Sequence, residues 1–181
     1  MFLVWHQALD ETLKWVKSHT ANALTLINLG LGCLAIIFVL HMQPGAAVFL
    51  IALAALIDRL DGMVARKLDI VSDFGKQLDS LCDLVSFGLA PIFLLYTLAL
   101  SEFGITGIFF SMLFVACGAI RLAKFNIVEF EGYFVGLPIT AAGVVLTISA
   151  MFADIWSGVW FLILTFVLSF LMIGPFRLKK M

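Results

Sequence analysis

Aspartate stands at positions 58, 61, 79 and 83 of this sequence, with glycine at 62 and 75, alanine at 65 and arginine at 66. Six of the chain's twelve carboxylates fall between Asp58 and Asp83, although 63% of all residues are hydrophobic. Apolar runs long enough to cross a bilayer abut this stretch on both sides. Ionisable groups near membrane depth are costly, so they mark a functional site by default. At 100° per residue, Asp58, Asp61, Gly62, Ala65 and Arg66 fall within roughly 140° of helical arc. Gly75, Asp79, Asp83 and Ser86 fall within roughly 80°. Two antiparallel helices joined by a short connection can therefore turn these polar faces toward each other at one depth.

Carboxylates that face each other at a few ångströms cannot all remain ionised unaided. One or two divalent cations resolve the conflict, and oxygen-only ligands suit Mg²⁺, Mn²⁺ or Ca²⁺. Such cations in turn hold phosphate or pyrophosphate oxygens. Gly62 and Gly75 let a ligand approach the backbone, and Arg66 and Lys76 can meet a phosphate or nucleotide. The residues by themselves thus point to metal-dependent phosphoryl transfer at a membrane surface. An ion transporter and a structural carboxylate–arginine network are the rival readings. The carboxylates outnumber nearby cations and lie at helix ends, which disfavours both.

The elements that must position these residues follow from hydropathy. With 181 residues, a mean hydropathy of +1.13 and 13% charged residues, the chain is too apolar for a soluble domain. Its apolar stretches run about 20 residues, enough for a helix to span roughly 30 Å of hydrocarbon. The expectation is an all-α integral membrane protein in two parts. Residues 1–20 read as an amphipathic juxtamembrane helix lying in the interface. Phe2, Trp5, Leu9, Leu13 and Val16 line one face, with Asp10, Glu11, Lys14 and Lys17 opposite. This segment does not read as a cleavable signal peptide.

Residues 21–181 read as six transmembrane helices, at about 21–42, 46–66, 73–99, 104–124, 133–153 and 155–174. Pro44-Gly45 is expected to turn the chain, and Pro91 to kink the third span. Asn22, Thr25, Asn28 and Gly32 form a polar and small stripe on the first span, suited to interhelical hydrogen bonds or to a ligand. Cys33, Cys82 and Cys117 show no metal or redox spacing and are expected as buried thiols. All eleven Lys and Arg belong to the N-terminal segment, the 2–3 end, the 4–5 end or the C-terminal tail. The positive-inside rule then puts both termini and the acidic stretch on the cytoplasmic side of the cell membrane.

The spacing Asp58-x2-Asp61-Gly62-x2-Ala65-Arg66-x8-Gly75-x3-Asp79-x3-Asp83 resembles the complete signature of the CDP-alcohol phosphotransferase family, with all eight fixed residues present. The resemblance implies a six-helix membrane enzyme, usually a homodimer, that moves a phosphatidyl group from a CDP-linked lipid to an alcohol and releases CMP. It implies that Asp58, Asp61 and Asp79 ligate two divalent cations, Mg²⁺ or Mn²⁺. By the same resemblance, Asp83 is expected to complete that metal site and to act as the general base. The resemblance also implies that Gly62, Ala65, Arg66 and Gly75 hold the CDP-lipid, joined by Asn22 and Thr25.

Two further segments, Cys117-Gly-Ala-Ile-Arg-Leu-Ala-Lys-Phe-Asn126 and Phe134-Val-Gly-Leu-Pro-Ile-Thr-Ala-Ala-Gly143, are similar to membrane-embedded phosphatidylserine synthases. They imply CDP-diacylglycerol and L-serine as substrates, with no nucleic-acid partner. The carboxylate of serine wants a cation, so Arg121 and Lys124 are the candidate acceptor contacts, with Asn126 as a polar partner; the alternative is that the two bases only anchor topology. A dianionic acceptor, as for a phosphatidylglycerophosphate synthase, should want more spare basic residues than these two.

Overall fold

The computed structural model describes residues 22–68, 72–127, 133–174 and 177–179; the side chains at 61, 64–68, 133–135 and 177–179 lie outside the described residues. The amphipathic segment expected over 1–20 also lies outside them. The described residues form six helical elements: α1 (Asn22–Leu40), α2 (Pro44–Leu68), α3 (Asp73–Phe103), α4 (Ile105–Ile127), α5 (Ile139–Ala150) and α6 (Gly158–Ile173). Of these, α1, α3 and α4 are long and apolar enough to cross a membrane. The acidic C-terminal turns of α2 lower its hydropathy, and α5 and α6 are shorter apolar helices of 12 and 16 residues.

The turn between α1 and α2 comes earlier than Pro44-Gly45. Met42 takes a left-handed φ of 57°, and the Gln43 N–H closes back onto the Phe38 carbonyl at 2.9 Å. This is the 6→1 closure of a helix C-terminus. Pro44 then opens α2, where a missing N–H costs no hydrogen bond.

The third element runs unbroken for 31 residues and is the centre of the bundle. More than half (56%) of its apolar window is buried, against 28% for α1 and for α4. It packs against α2, α4, α5 and α6, and a hydrogen bond ties it to α1. The expected break at Pro91 is absorbed by a widened turn. Residues Leu84–Leu89 are π-helical, with the Ala90 N–H bonded to the Val85 carbonyl, and Pro91 opens the α-helical segment that follows. A regular helix would set the proline ring against the carbonyl four residues back; the wide turn gives it room. A second π segment, Tyr96–Leu100, and a single 3₁₀ turn, Ser101–Phe103, carry the helix to Gly104, where φ is +52°.

The fifth element corrects the expected boundary at 133. Tyr133–Val135 is instead a strand, paired antiparallel with Arg177–Lys179 in the register Tyr133↔Lys179 and Val135↔Arg177. Gly136 follows with a φ of 79°, its backbone close against Met172, and Pro138 caps the helix that starts at Ile139. The left-handed glycine and the proline together stop the helical pattern from extending backward. The ribbon ties the entry of α5 to the exit of α6. Apart from these two three-residue strands, the described fold is helical.

Outward faces carry large apolar side chains, among them Leu40, Phe49, Leu56, Phe109, Met112 and Ile163, each over 40% exposed. So broad an apolar surface suits lipid rather than water. Cys82 and Cys117 are buried as expected, but Cys33 is exposed. Its neighbour Gly32 takes the position facing α3, and one residue further rotates the side chain about 100° away from the bundle.

Candidate active site

Local capping sets the start of α3. Ser72 is its N-cap, and its Oγ accepts the Gly75 N–H at 3.0 Å. A Cβ on Gly75 would meet that Ser72 Oγ at 3.0 Å and Asn22 Oδ1 of α1 at 3.4 Å. Gly75 therefore lets both the cap and α1 close in around the first turn of α3. Asp73 on the exposed side pairs with Lys76 at 3.2 Å, which occupies the lysine considered above for a phosphate. That exposed pair adds little stability.

One and then two turns further on come Asp79 and Asp83. Asp58, on α2, faces them: one carboxylate oxygen from each of Asp58, Asp79 and Asp83 lies within 4.8 Å of the other two. Asp58 and Asp79 are half-buried, and Asp83 is 9% exposed. The helical arithmetic that put the two acidic faces together is thus realised for these three residues. Gly62 is half-buried on the last turns of α2; the side chains of Asp61, Ala65 and Arg66 lie outside the described residues. Three anionic oxygens so close repel one another strongly. The donor set is all oxygen, the kind a hard divalent cation takes.

Arg121, near the end of α4, interacts electrostatically with Asp83. Its Nε is buried without a hydrogen-bond partner among the described residues, and its guanidinium carbon stands 6.0 Å from the Phe125 ring centroid. Lys124 is exposed. Asn126 is half-buried and bonded across to α3: its Nδ2 donates to Gln77 Oε1 at 3.1 Å and to Ser80 Oγ at 3.0 Å. It clamps α4 to α3 at Gln77 and Ser80, on either side of Asp79 in sequence. Asn22 is half-buried and Thr25 is buried on the α1 face that meets α3. Asn28, on the same face, was visible in the sequence only as part of a polar stripe; the structure buries it fully.

The sequence profile of the family described as CDP-alcohol phosphatidyltransferase matches residues 18–171. The chain is 37% identical to the CDP-diacylglycerol–serine O-phosphatidyltransferase of Mycobacterium bovis, over 88% of this chain and 60% of that protein. It is 43% identical to the protein of the same name from Bacillus subtilis, over 69% of this chain and 71% of that one. An archaetidylserine synthase of Methanothermobacter thermautotrophicus is 40% identical over 70% of this chain and 55% of its own length. The chain thus spans about three fifths of the length of the mycobacterial relative that it matches.

Proposed function

The chain belongs to the CDP-alcohol phosphatidyltransferase family, and from that premise we propose that it is a phosphatidylserine synthase, moving the phosphatidyl group of CDP-diacylglycerol onto L-serine with release of CMP. The observation that carries this reading is the meeting of Asp58, Asp79 and Asp83 within 4.8 Å, from two helices, at signature positions. The names of the Mycobacterium bovis and Bacillus subtilis relatives support serine as the acceptor.

Asp58, Asp61, Asp79 and Asp83 would hold two divalent cations, Mg²⁺ or Mn²⁺, which when bound offset the negative charge that grows on the pyrophosphate and the departing nucleotide. In the transfer, the serine hydroxyl oxygen bonds to the lipid-side phosphorus. The bond from that phosphorus to the bridging oxygen breaks, and CMP leaves with its electrons. The hydroxyl proton passes to the carboxylate of Asp83, which sits at the buried end of the triad. A carboxylate in such company is a weak base, so the hydroxyl must be held close and polarised. Arg121 supplies the counter-charge for the serine carboxylate, its guanidinium already beside Asp83. Lys124 and Asn126 complete the mouth on that side, Asn126 by holding α4 against α3. Gly62, Ala65, Arg66 and Gly75, with Asn22 and Thr25 on α1, form the CDP-lipid side.

The same reading places six spans in the cell membrane, both termini and the acidic face toward the cytoplasm, residues 1–20 on the membrane surface and two copies in the working enzyme. The distribution of Lys and Arg supports the orientation. An acceptor panel tests the function. Protein purified in detergent with Mn²⁺ and CDP-diacylglycerol is given L-serine, glycerol-3-phosphate or inositol, and CMP is measured. CMP should form with L-serine alone; CMP formed with glycerol-3-phosphate and not with serine would make the protein a phosphatidylglycerophosphate synthase instead.

A further inference from the structure

Ser86, Thr147, Ser149, Thr165 and Ser169 are buried hydroxyls, and each donates to a backbone carbonyl at 2.7 to 3.0 Å. Such bonds are how a polar side chain is tolerated in an apolar bundle. Asn28 departs from the pattern. Its side chain is 0% exposed, yet neither Oδ1 nor Nδ2 has a hydrogen-bond partner among the described residues. A buried carboxamide with unmet donors and acceptor is destabilising, and an apolar side chain of similar size would fill the position at lower cost.

Its level in the bundle is fixed by contacts between α1 and α3, which run in parallel. Asn22 lies beside Gly75, the Asn28 carbonyl accepts from Ser86 Oγ at 3.0 Å, and a Cβ on Gly32 would meet Ser86 Oγ at 2.5 Å. Between Gly75 and Ser86, α3 carries Asp79 and Asp83. Helical side chains lean toward the helix N-terminus. The Asn28 carboxamide therefore lies below the level of its own carbonyl, displaced from Ser86 toward the turn that carries Asp83.

We infer that Asn28 is a further specificity-determining residue, whose carboxamide meets the polar head of the small acceptor alcohol seated beside Asp83. This rests on the reading of the chain as a serine-accepting transferase. Asp83 takes the hydroxyl proton and Arg121 the carboxylate, which leaves the acceptor's ammonium unmet. The neutral carboxamide oxygen can accept from that ammonium without adding another charge to an acidic site. The same interaction explains why a group that weakens the empty bundle sits at this depth.

The test is a saturation series in L-serine with the full chain, CDP-diacylglycerol and Mn²⁺, comparing the parent with Asn28→Leu. The KM for L-serine should rise at least about tenfold, as for a lost substrate hydrogen bond, while the KM for CDP-diacylglycerol stays within about twofold. The substrate-free thermal midpoint of Asn28→Leu should be no lower than that of the parent, which a merely structural role would not give. A serine KM within about twofold of the parent would overturn the inference and leave Asn28 as packing. If the leucine variant does not fold, the same KM comparison with Asn28→Ala decides. A parent that uses another alcohol and not serine would sink the serine reading alone; the comparison repeated with that alcohol still decides Asn28.

Discussion

Up to Asp83, α3 turns Asp79 and Asp83 toward Asp58 of α2 and its Gln77 and Ser80 toward Asn126 of α4. From Leu84 onward the same helix is buried against glycines: a Cβ on Gly143 of α5 would run into the Phe87 carbonyl, and one on Gly118 of α4 would come within 3.9 Å of Leu84 and 2.7 Å of Ile139. The first half is arranged by charge and polar contacts, the second by shape. In the first half, like charges are held together at a cost to the empty fold, which is the mark of a binding site. In the second, close backbone approach lets an apolar bundle pack tightly where the hydrophobic effect gives no preference between helix and lipid. The widened turn at Leu84–Leu89 marks the border, and Asp83 and Asn28 stand at it.

This contrast predicts that changes in the two halves fail differently. On the proposed reading, Asp79→Asn should lower CMP release by at least about 100-fold, because it removes a charged ligand of the cations that would offset charge on the reacting phosphates. It should leave the detergent-solubilised protein folded, since it also relieves repulsion with Asp58. Size-exclusion profiles and thermal midpoints alongside the activity assay check both parts; near-normal activity would break the assignment of the polar half. Gly143→Ala should do the opposite. Its added methyl meets the Phe87 backbone, and the overpacking should cost about 1–3 kcal/mol of stability. In the fraction that remains folded, the KM for serine should be unchanged.

Two smaller effects sharpen the border. Arg121→Ala should raise the KM for L-serine about tenfold with nucleotide affinity intact, the loss of one charge-assisted contact. Failure of that variant to insert or express would instead make Arg121 a topology anchor. Asn126→Ala removes the clamp to Gln77 and Ser80 and should cost about 1 kcal/mol, measured as a lower denaturation midpoint with a modest loss of turnover.

The polar half was legible in the sequence because its information is local and periodic. Asp58, Asp79 and Asp83 meet as the 100° rule requires, and the four-residue step from Gly75 to Asp79 to Asp83 needs only that α3 be helical there. The shape-determined half was less legible. Nothing periodic announces a π-helical turn before Pro91 or the close approach of Gly143 to Phe87. Tyr133–Val135 looked like the opening of a span because it is apolar; it is a strand because the chain after α6 returns beside it and Gly136 turns left-handed. Cys33 was expected inside and faces out, since an apolar neighbourhood in sequence does not tell bundle from lipid. Asn28 and Asn126 were both visible as polar residues near helix ends. Only their partners, or the lack of them, separate a clamp from a substrate contact.

The meeting of the acidic faces of α2 and α3 should make a cation-dependent site for transfer from a CDP-lipid. The most direct test is CMP release from CDP-diacylglycerol by chelator-treated protein in detergent, with L-serine present, as Mn²⁺ is added back. CMP release should be absent in the chelator, return with Mn²⁺ in the parent, and stay absent at the same Mn²⁺ in Asp79→Asn. Full CMP release in the chelator, or equal restoration in Asp79→Asn, would contradict the claim.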